Sequence, residues 1–124
     1  MSRILIVEDN PDLLGILKEL LSREYDVDTA RTGEDAIRLA DEHRPDAVIL
    51  DLQLPSMDGM EAGRWIKTRL APKHVPILVL TALAGPGDSE AILNSGFCDA
   101  YMAKPASLAS IRAKIKELLP AELA

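Results

Sequence analysis

Cysteine and aromatic residues are both scarce in this chain. Cys98 is the single cysteine among 124 residues, so no internal disulfide can form, and this suits a reducing compartment such as the cytoplasm. No basic residue stands beside Cys98 to activate its thiol, and we expect it to be a small buried apolar residue. Aromatic residues make up only 3% of the chain, so the core must be aliphatic.

Clusters of basic residues and long apolar runs are also missing. The net charge is −6 and no basic run occurs, which argues against direct binding of nucleic acid. No apolar stretch approaches the roughly 20 residues that a membrane-spanning helix needs, and the first apolar run is too short for a secretory signal. We therefore expect a cytoplasmic protein without a membrane anchor.

Apolar runs typical of strands alternate with amphipathic stretches typical of helices. Apolar residues make up 48% and charged residues 27%, and the whole of residues 1–124 is expected to form one domain, with no output domain following it. Short apolar runs rich in β-branched residues predict five strands, over residues 4–7, 25–30, 47–51, 75–82 and 100–103. The second run is the weakest and is expected at an edge of the sheet.

The stretches between these runs have helical spacing and helix-start signals. Asn10 with Pro11 predicts the first helix start, and Thr32 three residues before Asp35 predicts the second. The third helix is expected over residues 59–70, the fourth is short, with about seven residues, and the fifth begins near Leu108. Five strand–helix units in series predict a parallel sheet with helices on both faces.

Polar residues stand where four of the predicted strands end. Glu8 and Asp9 follow the first strand, Asp51 ends the third, Thr81 lies near the end of the fourth, and Lys104 follows the fifth. In open α/β sheets the functional site lies at this carboxyl edge. Neighbouring carboxylates repel one another unless a cation joins them, and oxygen ligands of this kind suit Mg²⁺ or Mn²⁺.

Taken singly, each of these residues also has a structural explanation. Asp51 is consistent with a strand-ending Asx turn, Glu8 and Asp9 with the start of the following helix, and Thr81 and Lys104 with loop positions. Three rival functions are open at this point. A haloacid-dehalogenase-type phosphatase needs a second acid two residues after the first, where this chain has Gln53, and a flavin-binding protein would not place acids after its first strand.

The four motifs together resemble the receiver domain of two-component response regulators, the CheY-like family. They are the acidic pair in "IVEDN", the acceptor motif in "DLQLPSMDG", the hydroxyl in "VLTA" and the "YMAKP" segment. The resemblance covers essentially the whole chain. It implies a flavodoxin-like (βα)5 doubly wound fold with a five-stranded parallel sheet of order 2-1-3-4-5. The third rival function is a degenerate receiver that binds partners without phosphorylation, although no member of the acid–Asp–Lys set is missing.

The resemblance implies a phosphorylation-dependent switch in a bacterial phosphorelay. Asp51 would accept a phosphoryl group from the phosphohistidine of a sensor kinase or of a phosphotransfer protein. Glu8, Asp9, Asp51 and the Gln53 carbonyl would hold Mg²⁺, and Lys104 would pair with the phosphoryl group. Thr81 and Lys104 would complete the catalytic set.

Further roles follow from the same resemblance. Thr81 and Tyr101 would act as the switch pair, passing the change to the fourth helix, the fifth strand and the fifth helix, where a downstream protein or output domain would bind. The residues expected to shape the site are Pro55, Gly59, Ala82 and Pro105. Gly59 is expected at a backbone angle that other residues avoid, and the Lys104–Pro105 bond is expected to be cis.

Some positions of the chain are expected to tune the lifetime of the phosphoryl group, and others depart from the common pattern of the family. Gln53 and Leu83 occupy the two tuning positions, and an apolar Leu83 predicts slow autodephosphorylation. Many members have glycine four residues before the switch aromatic, where this chain has Phe97 preceded by Gly96. The sequence therefore does not define the residue at which the fourth helix ends. The protein is expected to be a monomer or a weak, phosphorylation-dependent dimer.

Overall fold

A computed structural model gives the arrangement of residues 1–82, 85 and 87–119. Five strands alternate with five helices along the chain. The strands are β1 (Arg3–Val7), β2 (Asp26–Ala30), β3 (Ala47–Leu50), β4 (Ile77–Thr81) and β5 (Ala100–Ala103). The helices are α1 (Pro11–Leu21), α2 (Gly33–His43), α3 (Gly59–Leu70), α4 (Asp88–Leu93) and α5 (Leu108–Leu118).

The strands form one parallel sheet in the order β2-β1-β3-β4-β5. This confirms the predicted flavodoxin-like topology, with β2 at an edge. The differences from the sequence prediction are small. β4 is shorter than the apolar run that predicts it, and β3 ends at Leu50, one residue before Asp51. The backbone N–H of Asp51 nevertheless donates to the Val7 carbonyl, so Asp51 remains fixed to the sheet.

Successive residues of each central strand face opposite sides of the sheet and enter two separate cores. In β1, Leu5 and Val7 join the core beneath α2, α3 and α4, whereas Ile4 and Ile6 join the core beneath α1 and α5. The near-continuous apolar strands are thus explained by burial on both faces. The doubly covered sheet holds its carboxyl edge rigidly, and that edge carries the polar residues.

Helix starts follow the predicted capping signals. The Asn10 side chain accepts hydrogen bonds from the backbone N–H groups of Asp12 and Leu13, and Thr32 accepts one from Asp35. Asp58 caps α3 in the same way by accepting from the N–H of Met60. These caps begin α1, α2 and α3 directly behind β1, β2 and the loop after β3.

Candidate functional site

The predicted polar residues lie together at the carboxyl edge of the sheet. The N–H of Glu8 donates to the carbonyl of Ala30, and the N–H of Lys104 donates to the carbonyl of Thr81. The backbone of Glu8 and that of Lys104 are therefore hydrogen-bonded to a neighbouring strand, and neither residue lies on a free loop. Three of these residues are buried at the carboxyl edge of the sheet, which is unusual for polar side chains. They are Glu8, Asp51 and Thr81.

Lys104 joins the two buried carboxylates. Its Nζ lies 2.9 Å from Oδ2 of Asp51 and 2.5 Å from Oε1 of Glu8. The other oxygen of each carboxylate accepts a backbone hydrogen bond, from Asn10 N–H to Glu8 and from Gln53 N–H to Asp51. The two charges are therefore compensated by one ammonium group and two peptide dipoles, as buried charges require.

The electrostatics of Lys104 follow from the same contacts. Burial by itself would lower its pKa, but the hydrogen bonds and charges of Glu8 and Asp51 outweigh that effect and raise the pKa above the ordinary lysine value. Lys104 is therefore a permanent cation at neutral pH. It offers a fixed positive charge to any anion that binds at Asp51.

The contact between Asp51 and Gln53 is an Asx turn, so the structural explanation of Asp51 is correct as far as it goes. A carboxylate at a strand end can make such a turn anywhere on a protein. What the turn alone does not explain is the burial of Asp51 and its ion pair with Lys104 across 53 positions of sequence. The turn fixes one oxygen and the lysine fixes the other.

Asp9 differs from the other two acids because it faces solvent. Its carboxylate Oδ1 lies 3.9 Å from Nη2 of Arg31, and its backbone carbonyl accepts a hydrogen bond of 3.3 Å from Nε of Arg31. About half of each side chain is exposed. Arg31 was not among the predicted site residues, although one signal was available. Arg31 directly follows β2, and the β1–β2 pairing of Val7 with Ala30 places it beside the acidic pair.

Thr81 and Tyr101 occupy neighbouring strands. Thr81 ends β4 and is fully buried, and Tyr101 lies in β5 opposite Val79, half-buried against the core beneath α2, α3 and α4. The ladder thus places both residues in the half of the sheet next to α4. Their switch role stays a prediction.

The loop after Asp51 corrects one sequence expectation. Gly59 does not have a left-handed backbone angle; in this loop the positive φ belongs to Ser56, at 70°. Gly59 is required for a different reason, because a Cβ atom there would lie 2.3 Å from the Cα of Leu52 and 2.8 Å from the Asp51 carbonyl. Its N–H donates to the carbonyl of Leu52, so α3 starts in direct contact with the strand end. Pro55 is exposed at the rim of this loop.

An open apolar cavity of about 440 Å³ lies beside the ion pair, between α1 and α5. Ala82 and Pro105 line it together with Lys104, and the Lys104–Pro105 peptide bond is cis, as expected. Ala82 is exposed. Leu83, the predicted lifetime-tuning residue, lies outside the described residues, so its prediction is not addressed.

Cys98 is partly exposed rather than fully buried as the sequence had led us to expect. The thiol is partly buried against the core and donates to the carbonyl of Ala100. Burial raises the pKa of the Cys98 thiol, which favours its protonated form.

The donor set fits a hard divalent cation of the kind that keeps part of its water shell. Among the described residues, no group of three or more His, Cys, Asp or Glu side chains forms a metal cage. Mg²⁺ does not need one, because it usually binds through one or two carboxylates together with water. Asp9 and Asp51 supply such carboxylates, and their oxygen chemistry suits Mg²⁺ or Mn²⁺. The Gln53 carbonyl is the third ligand that is predicted to bind the ion directly, whereas Glu8 is predicted to act through water.

Comparison with known proteins identifies relatives over nearly the whole chain. Residues 4–116 match the family model of the response regulator receiver domain. The chain is 38% identical over 117 residues to the polar-differentiation response regulator DivK of Brucella anthropi. The aligned region covers 94% of this chain and 94% of DivK. Neither a phosphatase nor a flavin-binding protein is favoured by these matches.

Solved structures show the same fold with occupied sites. The receiver domain of a sensor histidine kinase from Pseudomonas aeruginosa, with magnesium coordinated in its active-site cleft, superimposes with a TM-score of 0.83 at 36% identity and covers 94% of this chain and 96% of that one. A response regulator from Burkholderia pseudomallei with a phosphorylated aspartic acid and a calcium ion gives a TM-score of 0.80 at 30% identity, covering 98% of this chain and 68% of that one. Within the part of the chain that the structure describes, no helix is long and apolar enough to cross a membrane.

Proposed function

The chain belongs to the response regulator receiver domain family, the phosphorylation-dependent signalling switch of two-component systems, and from that premise we propose that Asp51 is its phosphoacceptor. The observation that carries this assignment is the bridge from Lys104 to Asp51 and Glu8. It places a permanent cation against a buried carboxylate on a rigid strand end. That is the arrangement that a nucleophile towards phosphorus needs.

The proposed reaction is phosphoryl transfer from a phosphohistidine. An oxygen of Asp51 forms a bond to phosphorus while the bond from phosphorus to the imidazole nitrogen breaks. The bonding electrons stay on that nitrogen, and the donor leaves as neutral imidazole once its other nitrogen is protonated. Lys104 then exchanges its contact with Asp51 for one with a phosphoryl oxygen, and the Thr81 hydroxyl donates to another.

A divalent cation completes the proposed site. Asp9, Asp51 and the Gln53 carbonyl would bind Mg²⁺ or Mn²⁺ directly, and Glu8 would act through water. When bound, such an ion neutralises the charge that develops on the transferring phosphoryl oxygens. The magnesium in the related Pseudomonas receiver domain supports this assignment.

The proposed output follows from the position of Thr81 and Tyr101. The phosphoryl group carries a charge of about −2 at neutral pH, a net gain of about one negative charge over the Asp51 carboxylate, and this draws Thr81 towards Asp51 while Tyr101 turns inward. The surface formed by α4, β5 and α5 would then bind a downstream protein or output domain. A sensor histidine kinase or histidine phosphotransfer protein would be the donor.

The remaining proposals concern the context of the switch. As a signalling domain, the protein would catalyse only its own phosphorylation and a slow autodephosphorylation, in the cytoplasm. Residues 1–124 would act as one receiver domain, as a monomer or as a weak dimer after phosphorylation. Gln53 and Leu83 would tune the lifetime, and a phosphoryl half-life of minutes or longer is expected; a half-life of seconds would contradict this.

Acetyl phosphate with Mg²⁺ tests the phosphoacceptor by intact-mass spectrometry. The wild-type protein is expected to gain one phosphoryl group, and Asp51→Asn none. Asp58→Asn is the matched control, because Asp58 is an exposed carboxylate in the same loop and its role is to cap α3. Full phosphorylation of Asp51→Asn would refute the assignment. No phosphorylation of the wild type, by acetyl phosphate or by phosphohistidine donors, would instead indicate a degenerate receiver.

A further inference from the structure

We propose that Arg31 is a positioning residue that competes with the divalent cation for Asp9 and so sets the metal affinity of the site. This inference rests on the proposed function, because it takes Asp9 as a metal ligand. Arg31 contacts Asp9 twice, from Nη2 to the carboxylate Oδ1 at 3.9 Å and from Nε to the backbone carbonyl at 3.3 Å. None of the four motifs that carry the resemblance to receiver domains includes this residue.

The fold dictates the proximity of the two residues. Val7 pairs with Ala30 in the parallel ladder, and the N–H of Glu8 donates to the carbonyl of Ala30. The chain leaves β1 towards Asp9 and leaves β2 towards Arg31, so the guanidinium lies at the outer side of the acidic pair. Lys104 binds Glu8 and Asp51 from the inner side. Asp9 is therefore the acid of the three whose cation contact comes from Arg31 rather than from Lys104.

The two contacts have different consequences for metal binding. The bond to the backbone carbonyl orders the turn between β1 and α1, which favours a formed site. The guanidinium charge, in contrast, attracts the carboxylate that the metal requires and repels the metal itself. Because Arg31 and Asp9 are both about half exposed, water and salt screen the pair, and a moderate effect is expected.

Isothermal titration calorimetry with Mg²⁺ and Mn²⁺ tests this competition. Arg31→Gln removes the charge but keeps an amide donor, and it is expected to tighten metal binding by about three- to tenfold at low ionic strength. Arg31→Lys keeps the charge and should bind metal as the wild type does. Arg38→Gln is the matched control, since Arg38 is an equally exposed arginine that pairs with Asp35 and Glu42 on α2.

A merely structural role for Arg31 predicts the opposite sign, because a loosened turn would weaken metal binding. The gain in Arg31→Gln should also shrink as salt rises to about 0.5 M, where charges are screened over a few ångströms. Unchanged or weaker metal binding in Arg31→Gln, with the wild type binding normally, would overturn the proposal. Phosphorylation need not be measured for this result.

The variant Asp9→Asn separates this inference from the proposed metal site. If Asp9 is a ligand, Asp9→Asn weakens metal binding, and Arg31→Gln gives a clearly smaller gain when combined with it, because the competition for Asp9 is then absent and only the direct repulsion of the metal is relieved. If Asp9→Asn leaves metal affinity unchanged, the assignment of the metal site is itself wrong. If Asp9→Asn weakens binding but Arg31→Gln gains the same factor in both backgrounds, the metal site stands and competition for Asp9 is refuted.

Discussion

Replacement of Lys104 by methionine tests the electrostatic account of the site. Methionine keeps most of the apolar stem that lines the cavity between α1 and α5, and it removes the charge that joins Glu8 and Asp51. Breaking a buried ion pair costs about 3–5 kcal/mol, because the partner is left charged and unpaired. About one fifth of the Lys104 side chain is exposed, so water compensates part of this loss. We therefore expect Lys104→Met to lose about 2–3 kcal/mol of unfolding free energy.

Thermal and urea denaturation measure this loss. Unfolding is monitored by circular dichroism in a buffer that contains EDTA. For a domain of this size each kcal/mol lowers the melting temperature by about 3–6 °C, so a decrease of about 6–18 °C is expected. The control Lys73→Met removes an exposed ion pair with Asp46 and should cost less than about 1 kcal/mol.

A second substitution decides whether charge is the cause. Glu8→Gln leaves Asp51 as the single buried carboxylate of the site, so the double variant with Lys104→Met should regain at least half of the stability that Lys104→Met loses. If the costs of the two substitutions simply add, the methionine acts through packing and the electrostatic account is wrong. A Lys104→Met protein as stable as the wild type would refute it directly.

Three further predictions concern the replacement of two glycines and the stability of the protein at high pH. Gly15→Ala in α1 should raise the unfolding free energy by about 0.5–1 kcal/mol in urea denaturation, since nothing lies within 4 Å of the added methyl group. Gly59→Ala should lower it by about 2 kcal/mol or more in the same assay, because the methyl group would overlap Leu52; an equal effect of both substitutions would contradict this. The pKa of Lys104 is raised in the folded protein by its hydrogen bonds to Glu8 and Asp51. The contribution of these bonds to the unfolding free energy is therefore fully present below the ordinary lysine pKa of about 10.4, and it is lost as pH rises through the higher pKa of the folded state. Melting temperatures should therefore fall more steeply above about pH 10.4 in the wild type than in Lys104→Met.

The convergence of the site could be predicted from the sequence because it depends on strand order and little else. Residues that follow parallel strands meet at one sheet edge whatever the details of packing. Glu8, Asp51 and Lys104 come together for this reason although 96 positions separate the first from the last. The capping residues Asn10 and Thr32 were equally predictable, since a cap needs only its own helix.

Features that depend on contacts through space were not predictable. The importance of Gly59 was visible in the motif, but its cause is the approach of the Leu52 backbone, which no local pattern reveals. Arg31 was missed because its neighbour Asp9 lies 22 positions away and meets it only through the β1–β2 register. The position of Arg31 directly after β2 was the one available signal, and it becomes specific only once the pairing of β1 with β2 is known.

The departure from the family pattern at Phe97 is resolved by the same kind of contact. α4 ends at Leu93, Gly96 takes the left-handed angle with φ of 92°, and this turns Phe97 into the core, where it is 2% exposed. Its ring lies against Gly63 of α3 so closely that a Cβ there would be 2.5 Å from Cδ2 of Phe97. The aromatic residue at position 97 is therefore accommodated because position 63 has no side chain. Since Phe97 and Tyr101 pack on the same core, the loop before β5 is held against α3. Any movement of β5 after phosphorylation must then either carry this contact with it or pivot around it.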